Sequence, residues 1–177
     1  MRLLNIVQEI LDEKYISKGN LMIEPEAGMR IEIKGEDFLC YKFGVDVHKE
    51  FLNHFSNSSG LKKMADYIIF QQVNGLLIIL QVELKKGESS KNTNANKKAS
   101  IQLKACDEFS RYIIRTIERI GKELSENDCK FFKIRISEGD IKRFKSKTKS
   151  TDCIHPVGEN YFSYRSDVFN LIRFSKI

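Results

Sequence analysis

The stretch DYIIFQQVNGLLIILQVELK, residues 66–85, decides the fold of this chain. It contains two aliphatic and β-branched runs separated by Asn74-Gly75, the dipeptide preferred in a two-residue type I′ hairpin turn. With that dipeptide as the whole loop, Asp66 lies directly opposite Glu83; a four-residue loop would make them diagonal neighbours, and a three-residue loop would separate their faces. The stretch therefore predicts two antiparallel strands with an acidic residue at the open end of each.

Three elements are predicted before this hairpin. Residues 2–16 place apolar side chains at helical spacing and predict an amphipathic helix. Met29–Lys34 and Phe38–Phe43 predict the two strands of a further hairpin. Val47–Phe55 predicts a short helix.

The elements after the hairpin complete the fold class. Ala99–Arg119 has one apolar face and predicts a helix of about 30 Å, with Asn96 as a candidate N-cap. Lys130–Ile136 alternates as a strand does, and Tyr161–Phe174 fits a strand or a helix equally well. The order of elements predicts an α/β fold, a single domain over residues 1–177 with a mixed β-sheet flanked by helices.

Composition excludes several classes of protein. The chain has 177 residues, 41% of them hydrophobic, with 30 basic and 24 acidic residues, which describes a globular domain and excludes a disordered chain. The longest aliphatic run, Leu76–Leu80, is far below the roughly 18 residues of a membrane span, and Asp12 and Glu13 interrupt the region where a signal peptide needs an apolar core. We therefore expect a cytoplasmic protein. The four cysteines form no CxxC pair, so we expect reduced, mostly buried thiols and neither a zinc site nor a disulfide framework.

Positive charge is concentrated in two segments. Residues 130–150 hold eight basic and two acidic residues, and residues 85–104 hold six basic and one acidic residue, so the rest of the chain is net acidic. Such segments are a solvated surface or a polyanion site, because lysine and arginine bind phosphate backbones by releasing condensed counterions. The predicted nucleic-acid-binding residues are Lys86, Lys91, Lys97, Lys98, Lys142, Arg143, Lys145, Lys147 and Lys149.

The acidic ends of the central hairpin predict a metal site. Two carboxylates placed side by side destabilise a sheet unless a positive charge lies between them, and carboxylate oxygens suit Mg²⁺. Lys85 emerges on the same face as Glu83, where it would orient or deprotonate a water or stabilise charge in a transition state. An acid followed two positions later by lysine occurs five times in the chain, and the nearest competitor, Glu32 with Lys34, alternates with apolar residues as an exposed strand face does.

The stretch from Lys62 to Lys85 resembles the PD-(D/E)XK nuclease superfamily, which includes restriction endonucleases and Holliday junction resolvases. The resemblance covers a core of about residues 62–137 and implies a restriction endonuclease-like fold preceded by an N-terminal helix and hairpin. It implies that Asp66 and Glu83 bind the metal and that Lys85 is the catalytic lysine. Ala65 stands where the motif has proline.

The resemblance also bears on residues outside the hairpin. Gln102 lies on the inward face of the long helix, where the family often has a glutamine that positions the lysine or a metal-bound water; a structural partner in the core is the equal alternative. Some members add a glutamate from the first helix, and Glu9, then Glu50, are the candidates here.

These observations predict a Mg²⁺-dependent DNA endonuclease that hydrolyses phosphodiesters, with Mn²⁺ as an alternative ion and RNA as an alternative substrate. One site per chain would require a homodimer or two visits to cut both strands. The alternative function is a non-catalytic nucleic-acid-binding or protein-interaction module on the same fold.

Overall fold

The computed structural model describes residues 2–25, 28–43, 64–85, 93–137 and 153–174. Its helices and strands are, in chain order, α1 (Leu3–Ile10), β1 (Leu21–Glu24), β2 (Met29–Lys34), β3 (Phe38–Lys42), β4 (Tyr67–Val73), β5 (Leu76–Lys85), α2 (Thr93–Arg119), β6 (Cys129–Ser137), β7 (Cys153–Gly158), β8 (Tyr161–Arg165) and β9 (Val168–Asn170). Short 3-10 turns lie at Glu13–Tyr15, Glu126–Asp128 and Leu171–Arg173.

The larger sheet has six strands in the order β3-β4-β5-β6-β8-β7. Strand β4 pairs antiparallel with both β3 and β5, β6 pairs parallel with both β5 and β8, and β7 pairs antiparallel with β8. Parallel neighbours need a crossover, and α2 supplies it between β5 and β6. The predicted α/β class with a mixed sheet is confirmed.

The central hairpin has the predicted register. Its pairs run from Tyr67 with Val82 to Val73 with Leu76. Asn74 and Gly75 have φ values of 49° and 83°, the two positive values that a type I′ turn requires. Asparagine and glycine adopt this conformation at little cost, so the local sequence sets the pairing of β4 and β5.

The strands around residues 35–37 do not form the predicted hairpin. Instead β2 pairs with β1 and β9 in a separate three-stranded sheet, whereas β3 belongs to the larger sheet. The chain changes layers at Gly35, where an added Cβ would lie 2.8 Å from Cβ of Leu171. The N-terminal hairpin is therefore formed by β1 and β2.

The larger sheet lies between two different layers. On one face α1 and α2 pack over the side chains of Leu77 and Ile79, and on the other face the smaller sheet packs over Ile78 and Leu80. Among the described residues, helices therefore cover one face only. Because β5 is buried on both faces, its first half, Leu76–Leu80, is a continuous apolar run rather than an alternating one.

Other boundaries differ from those predicted. The first helix ends at Ile10, because Leu11 is extended and the Asp12 side chain caps the following 3-10 turn. Helix α2 has 27 residues, about 40 Å, and already includes Asn96, so the N-cap prediction is wrong.

The C-terminal segment contains β8, β9 and a 3-10 turn. The helix predicted at residues 47–55 lies outside the described residues. None of the helices that the structure describes is long and apolar enough to cross a membrane.

Candidate active site

Asp66 is anchored at the open end of the central hairpin. Its backbone N–H donates to the carbonyl of Val82 at 3.0 Å, and its carbonyl accepts from the N–H of Phe43 at 2.8 Å. Its Oδ2 accepts a 2.7 Å hydrogen bond from the N–H of Leu84. The strand pairing ends at Tyr67 and Val82, one pair before Asp66 and Glu83. The Asp66 carboxylate therefore contacts β5 through the backbone N–H of Leu84, the residue after Glu83.

Glu83 is fully buried near the end of β5. Its Oε1 forms an ion pair with Nζ of Lys85, whose side chain is 28% exposed. Its Oε2 has no hydrogen-bond partner among the described residues. A buried carboxylate oxygen without a partner is costly, which is the condition that a bound cation relieves.

Burial raises the pKa values of both acids. The pKa of Glu83 rises to about 8, first because of desolvation and then because of the negative charge of Asp66, while Lys85 offsets part of the rise. Desolvation raises the pKa of Asp66 to about 6, and the Leu84 N–H acts against this. The three residues predicted from the hairpin are therefore close enough to interact electrostatically.

Glu24, at the end of β1, is a further carboxyl group at this site, and it is not among the site residues predicted from the sequence. A hydrogen bond with Glu24 favours the protonated form of Asp66. The hydroxyl of Tyr67 bonds to both the N–H and the carbonyl of Ile23 at 2.8 Å, which holds the end of β1 beside β4. The sequence pattern does not predict β1, and no periodicity in the sequence shows that the two sheets meet at its end.

Gln102 points inward from α2, as predicted. Its Nε2 donates a 3.0 Å hydrogen bond to the carbonyl of Met64. It therefore holds the segment that leads into Asp66, and no hydrogen bond from it to Lys85 occurs in the described part of the chain.

Two further residues show that α2 lies over the site. Cys106 is fully buried, and desolvation, followed by the charge of Glu83, raises the pKa of its thiol. Gln81 of β5 donates from Nε2 to Oδ1 of Asp107 at 3.2 Å, which ties the helix to the strand.

The predicted nucleic-acid-binding residues are only partly within the described structure. Lys97 and Lys98 are exposed near the start of α2, on the same half of the helix as Gln102. The remaining predicted contacts, Lys86, Lys91, Lys142, Arg143, Lys145, Lys147 and Lys149, lie outside the described residues.

The alternative acids lie elsewhere or are not described. Glu9 accepts a 2.7 Å hydrogen bond from Nζ of Lys122, so it is engaged away from Asp66. Glu50 lies outside the described residues. Glu32 and Lys34 are exposed on β2, as the alternating pattern predicts.

Two surface cavities are separate from these acids. One, of about 530 Å³, includes Gln71 and Gln72 near the turn of the central hairpin. The other, of about 420 Å³, includes Arg111 and Phe131 at the amino end of β6. The acids and Lys85 line neither of these two cavities.

The donor set fits Mg²⁺ held by two carboxylates. Among the described residues, no group of three or more histidine, cysteine, aspartate or glutamate side chains is arranged to hold a metal ion. Mg²⁺, however, is commonly bound through one or two carboxylates, with waters and substrate phosphates as its other ligands. Asp66 and Glu83 supply two carboxylates of this kind, and Oε2 of Glu83 has no hydrogen-bond partner among the described residues.

No family model, curated protein or solved structure matches this chain. The resemblance to PD-(D/E)XK nucleases stays a prediction, and a proposal of function depends on the geometry of the site.

Proposed function

We propose that the protein is a Mg²⁺-dependent endonuclease that hydrolyses phosphodiester bonds in DNA. The observation that carries the proposal is the convergence of Asp66, Glu83 and Lys85 at one end of the central hairpin, where Oε2 of Glu83 is buried without a partner in the described structure. Two acids and a lysine in this arrangement suit a reaction at a phosphate.

Each residue has a separate role in the proposal. Asp66 and Glu83 hold the ion, which when bound supplies positive charge to the phosphate and lowers the pKa of water. The Leu84 N–H keeps the Asp66 carboxylate in place, since it donates to Oδ2 at 2.7 Å. Lys85 pairs with Glu83 through its ammonium group, and its side chain is 28% exposed. In the proposal this ammonium group contacts a phosphate oxygen or orients the attacking water.

The polyanion substrate is supported by exposed positive charge. Lys97 and Lys98 lie on the half of α2 whose Gln102 contacts the carbonyl of Met64, so a phosphate backbone at the acids would pass near them. Because such contacts release counterions, DNA binding should weaken steeply with salt.

A cleavage assay with single variants tests the proposal. Supercoiled plasmid, branched DNA and structured RNA are incubated with the purified protein in Mg²⁺, in Mn²⁺ and in EDTA. We expect cleavage of DNA that requires a divalent ion and that falls sharply in Asp66→Ala, Glu83→Ala and Lys85→Ala. Full activity in any one variant would remove that residue from the site, and no cleavage by the parent protein under any condition would refute the proposal.

The second candidate is a binding module without catalysis. It is favoured by the Glu83–Lys85 ion pair and by the Gln102–Met64 hydrogen bond, since both are contacts that a purely structural cluster would also make. A module of this kind would bind DNA equally well in EDTA and would not cleave it with either ion. Cleavage of RNA instead of DNA in the same assay would change the proposed substrate to RNA, and the proposed hydrolysis of phosphodiester bonds would be retained.

A further inference from the structure

Arg135 is a buried arginine beside the candidate site. It lies on β6 as the register partner of Glu83 on β5. The residue is only 4% exposed. Its Nε has no hydrogen-bond partner within the described ranges.

The guanidinium group of Arg135 is suited to binding an anion. A guanidinium stays charged at all physiological pH values and presents donors in a planar fork that matches a carboxylate or a phosphate. Burying even one of its donors without a partner is costly, as is the case for Nε of Arg135 among the described residues. The charges of Glu83 and Arg135 interact, yet the ion pair of Glu83 is with Lys85, and no direct ion pair joins Glu83 to Arg135 in the described residues.

The position of Arg135 is also that of a ligand-binding residue. It lies near the carboxyl ends of three parallel strands, β5, β6 and β8, and open α/β sheets bind ligands in the crevice outside such ends. The other charged or titratable side chain that interacts with it is Tyr161 of β8, which is half-buried. Neither Tyr161 nor Glu83 supplies a partner for Nε.

We propose that Arg135 binds a phosphate group of the nucleic acid, with its guanidinium donating two parallel hydrogen bonds to the non-bridging oxygens. The phosphate would lie between Arg135 and the Glu83–Lys85 pair, so that the fork and the acids act on one group from two sides. That this phosphate is the one cleaved rests on the proposed function. The binding role itself does not depend on cleavage.

The competing explanation is that Arg135 only balances the charge of Glu83. In that case its removal would change stability and leave the dependence of DNA binding on salt unchanged. A phosphate contact instead contributes to the salt dependence, because each neutralised phosphate releases counterions.

Two variants and a control separate these explanations. Arg135→Met removes the charge and keeps the apolar stem, while Arg135→Lys keeps the charge and loses the fork. The control is Arg115→Met, because Arg115 is exposed on α2 and pairs with Glu126 near the amino end of β6. Binding to a DNA duplex is measured by fluorescence anisotropy in Ca²⁺ over a range of salt, and cleavage of plasmid is measured in Mg²⁺.

The expected results are specific to each variant. Arg135→Met should weaken binding about tenfold or more and reduce the salt slope by about 1. Arg135→Lys should keep the slope, weaken binding several-fold and slow cleavage about tenfold or more, since it lacks the bidentate geometry. Arg115→Met should match the parent protein in both measurements.

The outcomes distinguish this proposal from the proposed function. If both Arg135 variants bind DNA with the affinity and salt slope of the parent protein, the phosphate-binding role is overturned, whether or not the parent protein cleaves. If the parent protein does not cleave DNA but the DNA binding of Arg135→Met depends less on salt than that of the parent protein, the nuclease function is refuted and the phosphate-binding role stands. If Arg135→Met does not fold, Arg135→Lys decides, because unchanged affinity and cleavage in that variant would overturn the role.

Discussion

The backbone N–H of Leu84 donates a 2.7 Å hydrogen bond to Oδ2 of Asp66, and this contact brings the Asp66 carboxyl group to the strand segment that carries Glu83 and Lys85. Near the open end of the hairpin, the acceptor of a strand N–H is therefore a side-chain oxygen and not a backbone carbonyl. Under the proposed function, the stability and the activity of the protein would both depend on Asp66, but through different properties: stability needs an acceptor oxygen, and activity needs a negative charge.

Asp66→Asn separates these properties. The amide oxygen can still accept from Leu84, so we expect little loss of stability, whereas loss of the charge should reduce cleavage by roughly 100-fold or more. Thermal denaturation and plasmid cleavage measure the two effects. The matched control is Asp37→Asn, because Asp37 is exposed and its φ of 48° is one that asparagine also tolerates. Equal loss of activity in both variants would contradict the assignment of Asp66.

Glu83 should make the metal-free protein less stable as the pH rises. Its folded-state pKa of about 8 lies above the ordinary glutamate value of 4.5, so between these limits the folded state binds more protons than the unfolded state. The free energy of unfolding therefore falls with rising pH across that window, by an amount on the order of a few kcal/mol. Asp66, raised from 3.8 to about 6, contributes in the same direction at lower pH.

Glu83→Gln should flatten this pH dependence, because the amide does not titrate. Melting temperatures in EDTA between about pH 5 and pH 9 provide the measurement. Added Mg²⁺ should stabilise the parent protein most at the alkaline end, where the ligands are already deprotonated, and should have little effect on the variant. A melting temperature that does not change with pH in the parent protein would show that Glu83 is not a buried titrating acid.

Gln102→Ala should remove the hydrogen bond to the carbonyl of Met64 and loosen the segment before Asp66. We expect a loss of about 1 kcal/mol in the free energy of unfolding and a decrease in cleavage of about tenfold, smaller than for the acids. Urea denaturation and single-turnover cleavage give the two values. Gln8→Ala, at an exposed glutamine of α1, controls for the loss of a helix glutamine. A loss of activity as large as that of Glu83→Ala would mean that Gln102 acts directly at the reaction centre.

Tyr67→Phe should detach β1 from β4. The hydroxyl bonds to the N–H and the carbonyl of Ile23, and both backbone groups would lose their Tyr67 partner. Because the Tyr67 side chain is buried, we expect a loss of about 1–3 kcal/mol in stability, measured by urea denaturation. Tyr112→Phe is the control, since Tyr112 is 56% exposed. No difference between the two variants would mean that this bridge does not hold the two sheets together.

The sequence by itself determined the central hairpin and which charged residues lie at its open end. Asn74-Gly75 requires positive φ at two successive residues, and this local constraint sets which residues of β4 and β5 face each other. Once the register is set, Asp66, Glu83 and Lys85 must come near one another at the open end. The inward direction of Gln102 followed equally from the helical period of α2.

Only the tertiary structure decided which elements share a sheet. The strands on either side of residues 35–37 have the alternation of a hairpin, yet they lie in different sheets, because an alternating pattern specifies a buried face and not the strand that pairs beside it. Glu24 and Arg135 come to the site in this way, one through contact between the sheets and the other through the parallel pairing of β5 with β6. Such long-range contacts depend on how whole layers pack, and no short stretch of sequence carries that information.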